Sequence, residues 1–231
     1  SVVLGSGAAA SDIVEIVAYD ISSIANAVPT SGGTFTGAVT VQGNFSADGG
    51  TIKLDGNYPV GTSNVALGDT ALDDGSLSGG YNTAVGSAVL SDATSGNSNT
   101  AMGYQSLRYA TTAAGNVSIG VNAMRDTTSG GSNIAVGQDA LRSNTSASNN
   151  IAVGYQAGFS NTTGAGNTGI GAYALYDSIS GGNNVAVGTS ALENNTTASN
   201  NTALGRQALQ ANTTADNNTA VGYQAGYSNT T

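Results

Sequence analysis

The chain contains no Cys, no His and no Trp, only two Pro, and only five Lys and Arg against 14 Asp and Glu. Each shortage removes a class of function. Without Cys there is no disulfide framework and no thiol nucleophile. Without His there is no imidazole acid–base chemistry, and without both there are none of the usual zinc sites. A net charge of -9 argues against a nucleic-acid partner, whose phosphates require clustered Lys and Arg. No apolar run is long enough to cross a bilayer, and the first residues do not form a signal peptide. The expectation is a protein with no enzyme activity, no cofactor, no metal and no membrane insertion. The sequence opens at Ser1 without Met and stops at Thr231 inside a repeat, so it is expected to be a fragment of a longer chain.

What is present is Gly (34 of 231 residues) with abundant Asn, Ser and Thr, and only 8% charged residues. Such a composition suits disorder unless the apolar residues are ordered in some other way. Here they are. The run Asn, variable, small, aliphatic, Gly, two variables, Ala, Leu begins at Asn64, Asn82, Asn99, Asn116, Asn133, Asn150, Asn167, Asn184, Asn201 and Asn218. After one step of 18 residues, every spacing is 17. A fixed period identifies a repeat architecture, in which units stack because none can bury its apolar face alone.

With the Asn as position 1, position 3 is always small, position 4 aliphatic or Met, and position 5 Gly. Position 9 is Leu or Met except at Gly158 and Gly226. A period of 17 is too short for a helical-hairpin repeat, which needs more than about 30 residues. It fits one coil of an all-β, parallel β-solenoid or β-roll of about ten coils, each with strands over positions 2–4 and 7–10. Stacked coils place equivalent residues about 4.8 Å apart. The Asn column then reads as a ladder of side-chain amides, and the Gly column as a bend needing positive φ or close backbone approach.

Before the repeats, Asp12–Asp20 reads as a β-strand ending a small domain, and Ile21–Pro29 as a linker or short helix. Residues 30–63 alternate apolar and polar residues between glycines, as a narrow β shaft would. The expected organisation is therefore 1–29, 30–63 and 64–231. Each coil orders 17 residues around roughly three or four buried apolar side chains, too few to offset the entropy alone. The small residues at positions 3 and 8 would admit a second chain. The expectation is a homotrimer.

The strings Asn82-Thr-Ala-Val-Gly86, Asn150-Ile-Ala-Val-Gly-Tyr-Gln-Ala-Gly158 and Asn218-Thr-Ala-Val-Gly-Tyr-Gln-Ala-Gly226 resemble two related groups. One is the head of trimeric autotransporter adhesins, a left-handed parallel β-roll. The other is the distal fibre of tailed bacteriophages, particularly those of marine cyanobacteria. The phage fibres are the nearer resemblance, because they carry segments like Asp12-Ile-Val-Glu-Ile-Val-Ala-Tyr19 and shaft pieces like Gly32-Gly-Thr-Phe-Thr-Gly37. The period here is longer than that of the adhesin head, so handedness is not carried over. The self-cleaving chaperone domain that ends many such fibres is not among these residues. The resemblance implies an extracellular virion component that forms a homotrimer. Its partners would be other tail proteins on the N-terminal side and a receptor or glycan on the host surface. The alternatives are a bacterial trimeric surface adhesin and a polysaccharide-depolymerising tailspike. Ice binding would want a regular Thr array, which the mixed Val, Thr and Ile of position 2 do not supply.

The candidate binding residues are Tyr104, Arg108, Tyr109, Arg125, Arg142, Tyr155 and Phe159. Arg108, Arg125 and Arg142 occupy position 10 in successive coils, so they must be paired or solvated, and Asp126 and Asp139 are near enough in sequence to pair. Arginine among aromatic rings is a combination that receptor and glycan sites use; a solvated, self-paired charge ladder is the other reading. Gly158 and Gly226 are each followed by an aromatic residue, Phe159 or Tyr227, whose ring would fill the space of the missing Leu or offer a sugar platform. The scattered acidic residues show no pair placed for glycoside hydrolysis.

Overall fold

A computed structural model describes residues 62–74 and 76–230. They belong to one compact unit, Ile52–Thr231. The expected strand at 12–20, the linker at 21–29 and most of the shaft at 30–63 lie outside the described residues.

Ten three-residue strands run from β1 (Val65–Leu67) and β2 (Thr83–Val85) to β9 (Thr202–Leu204) and β10 (Thr219–Val221). They form one parallel sheet in sequence order. Their register superimposes each coil on the next: Ala84 opposes Ala101, Ala101 opposes Ser118, and Ser118 opposes Ala135. The fold is the parallel β-solenoid that the period predicts. The 18-residue step does not disturb the pairing of β1 with β2. The longer turn there carries Asp74, whose carboxylate accepts hydrogen bonds from the Ser76 N–H and hydroxyl and is held below the usual carboxylate range by them. Leu77 is buried just beyond it.

The Asn column is the spine. Asn133 N–H donates to Asn116 Oδ1 at 2.9 Å, Asn133 Nδ2 donates to the same oxygen at 3.1 Å, and Asn133 Nδ2 also reaches Ala147 O at 2.9 Å. The N–H to Oδ1 bond recurs in every coil from Asn82 to Asn218, and the column is buried from Asn64 to Asn201. A buried amide earns its place only when its donors and acceptor are satisfied, and a copy of itself one coil away satisfies them. The Gly column bends the chain after each strand with φ between 118° and 140°. A Cβ at Gly137 would also lie 2.4 Å from Gly154 O. Both expectations for these columns hold.

The second strand does not form. Positions 7 and 9 adopt positive φ, as in Gln105 (54°) and Leu107 (51°), so the segment is a run of turns. The reason lies in the Ala-Leu pair at positions 8 and 9. Consecutive residues of a strand face opposite ways, yet here both are buried, as Ala123 and Met124 show. Reversing φ at alternate residues turns both side chains inward and still leaves the backbone paired between coils. Gln105 N–H donates to Ser87 O of the coil before, and Leu107 N–H to Ala123 O of the coil after.

The interior is narrow. Its columns are Ala at position 3, Ala at position 8 and Leu at position 9. The small residues at positions 3 and 8 therefore face one another inside the coil and are not a surface for a second chain. Position 3 is small because the strand lies close to the turns across the core. Two further columns escaped the sequence reading. Thr hydroxyls at position 13 donate to the equivalent carbonyl one coil on, as in Thr128 to Thr145 O at 3.1 Å. Buried Asn residues at position 12 close the last turn, as in Asn195 to Ala198 O at 3.0 Å.

Candidate functional site

Two surfaces carry what the ladders do not use. The first is the outer face of the sheet. With position 3 turned inward, positions 2 and 4 must point out, and they are Thr, Val, Ile, Leu or Met. Met102, Ile119, Ile134, Ile151, Ile170 and Leu204 are each between 38% and 46% exposed. Stacked in register, position 4 forms a continuous apolar column over ten strands, larger in kind than the isolated exposed Leu or Ile of an ordinary monomer surface. It is flanked at position 2 by Val and Ile interspersed with Thr83, Thr100, Thr168, Thr202 and Thr219.

The second surface lies across the glycine bend, on the turns at positions 6 to 11. Each N–H at position 11 donates to the position 10 carbonyl of the next coil, as Tyr109 does to Arg125 O and Asp126 to Arg142 O. This stacks Arg108, Arg125, Arg142, Phe159, Tyr176 and Glu193 in one column. The three arginines meet different partners. Arg125 makes a two-pronged pair with Asp126 (2.8 and 3.2 Å), and that hydrogen bond raises its affinity for its proton. Arg142 lies 3.9 Å from Asp139 and 5.6 Å from the centre of the Phe159 ring. Arg108 rests over Tyr109 at 5.0 Å, and its Nε is buried without a hydrogen-bond partner among the described residues.

Beside Arg142 the rings converge. Phe159 stacks on Tyr176 (5.2 Å, 14° between planes), Tyr176 meets Tyr173 at 5.8 Å, and Tyr173 meets Tyr155 edge-on at 5.4 Å. The structure thus gathers Arg142, Tyr155 and Phe159, while Arg108 with Tyr109 forms a second cluster and Arg125 stands between them. Tyr104 is 52% exposed in the coil before Arg125 and outside the ring cluster. Tyr173 and Tyr176 were missed. The signal was available, since each sits 17 residues after a residue of the preceding coil, Gln156 and Phe159.

Phe159 does not fill the place of the missing Leu. Its ring lies outside, in the cluster, and Leu141 of the preceding coil turns inward, its Cδ2 2.9 Å from where a Cβ on Gly158 would sit. Leu209 does the same beneath Gly226, at 2.8 Å. Below Gly158 a cavity of about 10 Å³ remains, lined by Leu141, Asn150, Gly169, Leu175 and Ser178 among others. Asn150 Nδ2 and Ser178 Oγ have no hydrogen-bond partner among the described residues. The spine is altered at this coil: Gly164 O accepts from Asn161 Nδ2 (2.9 Å) and not from Asn150, whereas Ala147 O one coil earlier accepts from both Asn144 and Asn133.

Below the ring cluster Asp177 is half-buried near Glu193, and burial followed by that neighbouring charge raises its carboxyl above the usual range. Among the described residues no group of His, Cys, Asp and Glu is placed to hold a metal ion, and no helix is long and apolar enough to cross a membrane. Comparison with known proteins finds no matching family model, no matching curated protein and no matching solved structure.

Proposed function

We propose that this chain is a shaft segment of a homotrimeric tail fibre of a tailed bacteriophage, an extracellular virion component that attaches the particle to its host. The observation that carries the reading is the outer face of the sheet. Ten strands present an unbroken aliphatic column at position 4 beside a mixed column of Thr, Val and Ile at position 2, and removal of that face from water would supply the stabilisation that the thin interior does not. A copy of the same chain is the natural cover, because its columns have the same rise of about 4.8 Å and match over the full length. Three copies is the number that the resemblance to phage fibres and adhesin heads implies. Other tail proteins would hold the N-terminal side, and a receptor or glycan on the cell surface would be the distal partner. A stiff rod extends reach, and three copies make weak contacts cumulative. The chain itself performs no chemistry.

The attachment half of this reading is tested by adsorption of the fluorescently labelled chain to a panel of marine cyanobacterial and other Gram-negative strains. Saturable binding to a subset of strains is expected. Binding to no strain, or equal binding to all, would overturn it.

A further inference from the structure

We propose that the column from Arg108 to Tyr176 is a binding track for an anionic polysaccharide, with carboxylate or sulfate groups on the arginines and sugar rings on the aromatics. The inference rests on the attachment reading and specifies its ligand. A chain with net charge -9 has four arginines, and three of them occupy the same position of three successive coils. Only one of them is closely paired. Arg125 is fully engaged with Asp126, whereas Arg142 holds Asp139 at the limit of an ion pair (3.9 Å) and Arg108 has no carboxylate partner among the described residues. The three arginines rise from the same position of successive coils, so a ligand carrying repeated negative charge can meet them in turn.

The rings point to the rest of the ligand. Tyr155, Phe159, Tyr173 and Tyr176 join in one contiguous patch that begins where the arginines end, and Arg142 overlaps both. Tyr155 is 42% exposed at its rim. The C–H faces of a pyranose pack on aromatic faces, while its hydroxyl groups bond to the phenol oxygens and guanidinium N–H groups nearby. Three coils of cation followed by two coils of ring make a linear site, which fits a polymer better than a single sugar. The track lies across the glycine bend from the apolar sheet face, so assembly through the sheet leaves it free to bind.

The experiment is isothermal titration of the full chain with alginate, with dextran sulfate and with neutral dextran. Binding of at least one anionic polymer and not of dextran is expected, weakening as salt is raised. The triple variant Arg108→Gln, Arg125→Gln, Arg142→Gln and the double variant Tyr155→Ala, Tyr176→Ala should each weaken binding by about tenfold or more. Arg206→Gln, which removes the arginine over Tyr223 outside the track, should leave it unchanged. Circular dichroism melts of the variants exclude unfolding as the cause. No binding to either anionic polymer, equal binding to dextran, or binding insensitive to both variants would each overturn the proposal. If cell adsorption persists while these titrations fail, only the ligand is wrong; if wild-type adsorption fails, the attachment reading is wrong.

Discussion

The strand side and the turn side of each coil follow different rules. From Asn at position 1 to Gly at position 5 the coils are near copies, and every group there touches its own equivalent one coil away. Asn oxygen meets Asn amide, Ala opposes Ala, and Gly packs on Gly carbonyl. A substitution on this side is felt by two neighbours at once. From position 6 to position 11 the backbone is still paired between coils, but its outward side chains face solvent. Asp, Ser, Arg, Phe, Tyr, Glu and Gln all occupy position 10. Uniformity is imposed where side chains form the ladder, and variety is permitted where only the backbone does. The specific chemistry of the molecule therefore sits on the turn side.

That contrast should break most severely at the spine. Asn116→Ala would strand Asn133 N–H and Gly130 O in a buried column, while Asn133 Nδ2 keeps Ala147 O and Asn99 Oδ1 keeps the backbone N–H of residue 116. A loss of about 4 kcal/mol is expected, read as a lower urea midpoint and as faster hydrogen exchange centred on coils three to five. Gly137→Ala is next. Its φ of 138° and the 2.4 Å approach of its Cβ to Gly154 O leave no relaxed conformation, so about 3 kcal/mol should be lost in the same denaturation assay.

The turn side should behave oppositely. Gly158→Leu restores a residue that other coils carry at φ near 50°, and the obstacle is only the flexible end of Leu141. Filling the cavity should raise stability by about 1 kcal/mol, after the cost of a non-Gly residue at positive φ; a melt lower than wild type would show that Leu141 cannot return to its column. The smallest effect concerns Asp177. Its folded pKa is raised, so ionisation costs the folded state more than the unfolded one and lowers stability above the ordinary carboxylate range. Asp177→Asn should melt slightly higher than wild type at pH 7, and the difference should vanish as the pH falls below that range.

Legibility in the sequence followed the same division. The Asn ladder and the Gly bend could be read at once, because a buried amide and a positive φ each restrict a position to very few residue types. The sheet order followed from the period alone. The second strand was misread because an apolar Ala-Leu pair fits a strand by composition, and only its adjacency shows that both cannot face inward from one. The small columns were assigned to a partner interface because smallness does not record which side is crowded. The crowding was internal, and the aliphatic residues at positions 2 and 4 were displaced outward by it. On the turn side, Arg108, Arg125 and Arg142 are legible as a column because one residue type repeats, whereas Tyr173 and Tyr176 emerge only when unlike residues 17 apart, such as Phe159 and Tyr176, are compared across coils.

The most direct test of the fibre reading is the solution mass of the full chain, by light scattering across a dilution series. It should be run beside Ile134→Lys, Ile151→Lys, which charges adjacent coils of the outer sheet face without touching the interior. The account predicts three times the 22.5 kDa chain mass, persisting on dilution, and a fall toward the single-chain mass in the variant with its β-sheet circular dichroism retained. A wild-type chain that is folded and monomeric at every concentration would contradict it.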